Sequence, residues 1–198
     1  MLKHTTLLIL WLGFTFSFVL NAQTKTHTFL VSAGNNSVAF VPTTQPLHPS
    51  FQIGYEKVWK DKKFSLVQNF RIGYYYQRLV HHAVPVYTQL GYRYKTKIGL
   101  QIAAYVDAGY IHTFSDIDAY KLNSNGEYER TARAGKAHAM FGLSGILSYP
   151  IKGNKTSFIP FIHYQFFMIT PFVKSYVPLL PNTSLNIGTY ITINRPSK

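Results

Sequence analysis

The 198-residue sequence contains no cysteine. That absence excludes a disulfide framework, thiolate ligation of a metal and lipid modification of an amino-terminal cysteine. Acids are scarce as well: 7 Asp and Glu stand against 20 Lys and Arg, a formal net charge of +13. Such an excess raises nucleic acid as a partner. Here, however, the bases are scattered over strand ends and turns, and the amino end reads as an export signal, so no nucleic acid is expected and anionic lipid is the better partner. Long apolar runs are missing too. Beyond residue 22 no stretch reaches the roughly 18 residues of a spanning helix. Helical periodicity is almost absent. If the mature chain enters a membrane, it does so as strands.

What is present begins with Lys3 and His4, followed by an apolar run of about 14 residues from Leu7 to Leu20 and the small-residue site Asn21-Ala22-Gln23. Residues 1–22 read as a signal peptide cleaved after Ala22, leaving 23–198 as one domain. The run is too short for an anchor, and Gln23-Thr24-Lys25-Thr26 lacks a basic stop-transfer flank. Without disulfides, an exported domain must rely on a closed hydrogen-bond network or a sizeable core. The 15 Tyr and 15 Phe are an aromatic load suited to membrane interfaces.

The mature region alternates apolar with polar or small residues, the two-residue period of a strand. In 98–112, Ile98, Leu100, Ile102, Ala104, Val106, Ala108 and Tyr110 oppose Gly99, Gln101, Ala103, Tyr105, Asp107 and Gly109. In 64–77, Phe64, Leu66, Phe70, Ile72, Tyr74 and Tyr76 oppose Ser65, Asn69, Arg71, Gly73 and Gln77, with Gln68 the polar exception on the apolar side. Residues 183–194 behave alike, and further strands are expected at 50–59, 83–94, 136–149 and 156–168. Short links at 60–63, 95–97 and 150–155 alternate with longer ones at 78–82, 114–135 and 169–182, as in an up-and-down barrel. An even count needs one more strand. Residues 27–40 supply it, with a bulge or loose edge expected at Gly34-Asn35-Asn36. The expected fold is all-β: an antiparallel up-and-down transmembrane barrel of about eight strands, within 27–194.

A soluble barrel of lipocalin type would turn the apolar faces inward around a ligand; a membrane barrel turns them outward. Three features favour the membrane. The second face is small and polar, fitting a narrow interior. Tyr55, Trp59, Tyr74, Tyr76, Tyr92, Tyr94, Tyr110 and Tyr149 cluster toward strand ends, where amphipathic rings meet headgroups. The strands also exceed the 9 to 11 or so residues that cross hydrocarbon.

On these features residues 27–194 resemble the small eight-stranded outer-membrane β-barrel proteins of Gram-negative bacteria, of the OmpX, OmpA and OmpW type. No diagnostic motif carries the resemblance. The chain also departs from the family's aromatic last residue, ending Tyr190-Ile191-Thr192-Ile193-Asn194 and then Arg195-Pro196-Ser197-Lys198. The resemblance implies an outer-membrane location and assembly through periplasmic chaperones and the outer-membrane insertion machinery.

The alternation points Glu56, Arg71, Arg93, Asp107, His138 and His163 into the lumen. Charges there must pair, because an unpaired buried charge is costly. A structural polar network is expected, a proton relay or narrow conducting path being the other readings. His112-Thr113-Phe114-Ser115-Asp116-Ile117-Asp118 holds ingredients of an acyl hydrolase. Yet His112 and Ser115, three apart on a strand, face opposite sides, with His112 toward lipid. Adjacent His81 and His82 diverge in the same way and make a poor metal pair. Asp116 and Asp118 with Glu127 or Glu129 lack the rest of a calcium loop. No cofactor is expected. Along the short-turn rim, Lys60, Lys62, Lys63, Lys95, Lys97, Lys152 and Lys155 face only Asp61, and are expected to meet periplasmic-leaflet lipid or to discourage aggregation. Apolar Phe172, Tyr176, Leu179 and Leu180, among Pro171, Pro178 and Pro181, are expected to cover the barrel mouth, lie in the outer leaflet or contact another envelope protein.

A non-enzymatic barrel follows as the leading expectation, either an envelope-integrity protein or an accessory subunit of a larger outer-membrane complex. Two alternatives stand beside it: a lipid-modifying acyl hydrolase or transferase, and a small porin-like pore for small or hydrophobic molecules.

Overall fold

The computed structural model describes residues 26–38, 47–78, 80–116, 120–122, 126–130, 135–151, 156–172 and 178–194. The expected signal peptide lies outside these residues, as do Lys152, Lys155 and Tyr176.

Alternation over ten or more residues yields strands throughout. In chain order they are β1 (Thr26–Ser37), β2 (Pro49–Lys60), β3 (Phe64–Gln77), β4 (His81–Lys95), β5 (Gln101–Ser115), β6 (Tyr120–Leu122), β7 (Tyr128–Arg130), β8 (Lys136–Ser148), β9 (Thr156–Thr170) and β10 (Leu180–Asn194). Eight form a closed antiparallel barrel, each beside its neighbour in sequence, with β1 sealing against β10; β6 and β7 form a separate ribbon. The chain therefore folds as an eight-stranded, all-antiparallel barrel in which none of the eight strands has an open edge.

The expected bulge in the first strand is absent. Its register runs without a shift from Thr26 opposite Asn194 to Ser37 opposite Thr183. Side-chain amides fasten this segment: Asn35 accepts from the His48 backbone N–H (2.6 Å) and Asn36 from the Gln77 amide (2.6 Å). The register shift sits instead in β2, between Val58 and Lys60. Strand β5 starts later than the expected 98, because Gly99, at φ 91°, closes a turn in which the Thr96 N–H donates to the Leu100 carbonyl. The link 78–80 is no longer than 61–63, so the short-and-long alternation fails there. The long segment after β5 carries the β6–β7 hairpin, which was expected to be plain loop.

The two faces sort as the alternation requires. Leu90, Val106, Leu143, Ile162 and Ile187 are exposed on the outside, whereas Gln89, Asn69, His163 and Gln165 are fully enclosed. Two apolar layers also fill the interior. Leu30, Val67, Tyr105, Ile146, Phe161 and Tyr190 form one; Tyr75, Tyr87, Ile111, Met140, Phe167 and Ile169 form the other. At about 25 cal/mol per Å², leaving an outer belt of this kind in water would cost more than a small domain's stability. Acyl chains remove that cost.

Candidate functional site

The lumen is the most highly organised part of the molecule. All six inward-predicted residues, Glu56, Arg71, Arg93, Asp107, His138 and His163, are buried, but they do not form one charge network. Glu56 on β2 and Arg93 on β4 reach across β3, and the guanidinium grips both carboxylate oxygens. The Arg93 guanidinium also lies 5.6 Å from the Tyr190 ring. Among the described residues Arg71 meets no acid directly. Its Nη1 donates to Gln52 Oε1 (3.1 Å), which also accepts from the Tyr87 hydroxyl (3.0 Å). Tyr87 continues to Gln165 (3.4 Å), whose amide donates to Asp107 Oδ2 (2.7 Å). A neutral chain of three side chains thus separates Arg71 from Asp107.

Asp107 accepts two further bonds on Oδ1, from Gln89 Nε2 (3.1 Å) and Ser144 Oγ (2.8 Å). Gln89 Nε2 also lies 3.2 Å from His163 Nε2. Serine, histidine and aspartate come together here, but not as a nucleophilic relay: the serine donates to the aspartate, and the imidazole faces an amide. The space among Asn36, Ser50, Gln52, Tyr87, Gln165 and Ser184 is about 10 Å³, room for one water. Gln52, Gln89 and Gln165 went unnamed in the sequence reading, although each has the inward parity. Gln89 stands directly opposite Asp107 in the register.

At the loop rim, Pro171 and Phe172 turn in over the inner apolar layer. His138 Nδ1 lies 2.6 Å from the Pro171 carbonyl, which can only accept, so this nitrogen carries the proton; Nε2 meets Thr113 Oγ1 at 2.8 Å. The Phe172 ring sits 5.8 Å from both His138 and His81. Phe172 and Leu180 pack on the inner apolar layer, while Leu179 is exposed. Of the apolar segment expected to cover the mouth, lie in the outer leaflet or contact a partner, Phe172 and Leu180 turn onto the barrel, covering an apolar layer that would otherwise meet water.

The 112–118 cluster does not converge among the described residues. His112 points outward and bonds the Tyr110 hydroxyl (2.6 Å). Asp116 takes the Tyr76 hydroxyl (3.2 Å) and lies 3.4 Å from His82. His81 points inward and His82 outward, so the pair diverges. No cluster of three metal-ligating side chains occurs among the described residues.

At the short-turn rim, Lys60, Lys62, Lys63 and Lys97 are exposed and Lys95 binds Asp61. The hydrogen bond from Lys95 holds the Asp61 carboxyl below its ordinary pKa.

A closed barrel with an apolar exterior and a hydrogen-bonded polar interior is a transmembrane β-barrel, and such barrels belong to the bacterial outer membrane. This chain is a protein of that membrane. The crystal structure of Neisserial surface protein A has the same fold, with a TM-score of 0.52 over 87% of this chain and 98% of that one, at 9% identity. Weaker likenesses are to the N-terminal β-barrel domain of Pseudomonas aeruginosa OprF (TM-score 0.41, 14% identity, 84% of this chain and 97% of that one) and Yersinia pestis Ail (TM-score 0.39, 10% identity, 83% and 99%). No protein-family model and no curated protein matches the sequence.

Proposed function

We propose that this protein is a non-enzymatic structural barrel of the outer membrane, serving envelope integrity or an accessory place in a larger envelope complex. One observation carries the reading: the lumen is packed with buried side chains, many of them hydrogen-bonded from strand to strand, and is crossed by two apolar layers. The six buried lumen residues act structurally, holding eight strands around a common interior. The lipid-enzyme reading draws less support, because His112 and Ser115 lie on opposite faces of β5. The pore reading is opposed by the two apolar layers across the lumen. The loop rim is the side a partner protein would meet, through exposed Leu179, Tyr120 and Tyr128. In vivo photo-crosslinking from positions 120, 128 and 179 tests the accessory role, with one discrete envelope partner as the expected product. Discrete conductance steps in a planar bilayer, or altered lipid A on deletion, would overturn the structural reading.

A further inference from the structure

Sequence spacing offers two weak metal pairs at the loop rim, adjacent His81 and His82 and, beyond β5, Asp116 with Asp118. His81 is buried in the lumen while His82, the second residue of β4, faces outward, and Asp118 lies outside the described residues. The fold instead brings His82 to Asp116. Strand β5 ends at Ser115, opposite His81. The Asp116 N–H then donates to the Val80 carbonyl (3.3 Å). That bond turns the carboxylate back toward β4, and Asp116 Oδ1 lies 3.4 Å from His82 Nε2.

A charge-assisted N–H···O bond closes to about 2.7–2.9 Å, and this pair stands outside that range. Two ligands of one tetrahedral zinc, at bond lengths of roughly 2.0–2.2 Å, stand about 3.4 Å apart. His82 and Asp116 hold that separation. Each is also oriented from behind. His82 Nδ1 lies 2.6 Å from the Tyr74 hydroxyl. With its proton on Nδ1 and donated to Tyr74, the imidazole turns its Nε2 lone pair toward Asp116, so that two acceptors face each other and a cation completes the contact. Tyr76 donates its hydroxyl to Asp116 Oδ2 (3.2 Å) and stacks on the His82 ring, 4.6 Å between centroids and 29° between planes. One tyrosine thus fixes both the imidazole plane and the carboxylate, as the outer partners of metal ligands do. The His82 and Asp116 side chains are 38% and 21% exposed, so an ion reaches them without disturbing the rim.

We propose that His82 Nε2 and Asp116 Oδ1 bind a divalent transition-metal ion of the zinc class, with Tyr74 and Tyr76 as positioning residues and the remaining coordination positions taken by water. An imidazole nitrogen beside a single carboxylate oxygen suits zinc, whereas calcium and magnesium take all-oxygen sets. With two protein ligands the affinity is modest. The site goes beyond the structural role proposed above, because it gives the outward side of the loop rim a bound cation.

The folded protein, made without a histidine tag and stripped of metal by a chelator, is titrated in lipid vesicles with cobalt(II), whose visible absorption strengthens in a tetrahedral site. One equivalent is expected to bind saturably and to be displaced by zinc. His82→Gln and Asp116→Asn each remove that saturable step. Tyr76→Phe keeps both ligands and lowers the affinity roughly tenfold. His112→Gln, which removes the outward histidine of β5, leaves the titration unchanged. On the unsubstituted protein, zinc is expected to shield His82, and not His112, from acylation by diethyl pyrocarbonate, read by mass spectrometry. No saturable uptake, uptake that persists in both His82→Gln and Asp116→Asn, or a His82 that zinc does not shield overturns the proposal and leaves His82 and Asp116 as an ion pair only. Heat-modifiable gel mobility, scored on each variant, separates loss of the metal site from loss of the barrel.

Discussion

Replacing Glu56 with Gln removes one charge from the lumen and leaves Arg93 enclosed without a counter-charge. Side-chain exposure in this pair is 8% for Arg93 and 4% for Glu56, so water replaces little of what is lost. Unit charges about 4 Å apart interact by about 4 kcal/mol at an effective dielectric near 20. Breaking one side of a buried pair costs about 3–5 kcal/mol by experience elsewhere. Glu56→Gln and Arg93→Met are each expected to lose that amount. The double variant, having no orphaned charge, is expected to recover at least about 2 kcal/mol of the summed loss. Urea titrations of the barrel in vesicles, scored by heat-modifiable gel mobility, measure all four corners of the cycle. Effects that add within about 0.5 kcal/mol would show that the pair is not coupled, and the account of the lumen as an interlocked interior would fail.

Asp61 gives a pH signature. Its carboxyl pKa is lowered by Lys95 in the folded state, so its contribution is complete above the unfolded carboxylate value near 4 and fades as pH falls through the lowered folded value. As an exposed pair it is worth less than about 1 kcal/mol. Wild type and Lys95→Gln should differ at pH 6 and converge near pH 2 in stability titrations. Phe172→Ala should uncover the barrel mouth at a cost of about 1–2 kcal/mol for a half-buried ring, seen as faster proteolysis within 171–179 with the barrel band intact. Gly91→Ala would drive a Cβ into the Ala104 carbonyl and the Tyr105 backbone, and we expect the variant to lose the folded gel band; normal mobility would show the strands spread more easily than this packing allows. Leu143→Arg should cost about 2–4 kcal/mol at mid-bilayer depth in the same urea assay, and a neutral result would place Leu143 away from hydrocarbon.

Parity along each strand made the two faces of the barrel legible, because a side chain two residues on returns to the same side whatever the neighbours are. It placed Glu56, Arg71, Arg93, Asp107, His138 and His163 in the lumen. It left their partners illegible. Which inward residues share a level depends on strand tilt and stagger, set by all eight strands together. Arg71 reaches Asp107 through Gln52, Tyr87 and Gln165, which come from three other strands. The β6–β7 hairpin was readable: Asn125-Gly126 between short tyrosine-bearing runs is a turn signal, and Gly126 has φ 81°. Phe172 was not, because an apolar loop residue looks the same whether it covers its own barrel or meets a partner. His81 and His82 obey parity although the strand expected from the sequence begins at 83 and β4 begins at His81.

The central claim is that the apolar side of every strand faces acyl chains and the polar side fills the lumen. With no native cysteine, single cysteines at Ala103, Ala104, Tyr105, Val106 and Ala108 can be spin-labelled without a background. Collision rates of each nitroxide with oxygen, which concentrates in hydrocarbon, and with a water-soluble nickel chelate then report its surroundings. We predict high oxygen and low nickel collision at Ala104, Val106 and Ala108, with oxygen collision falling at Ala103 and Tyr105. Nickel access at Val106 equal to that of an exposed loop would place this face in water and contradict the account.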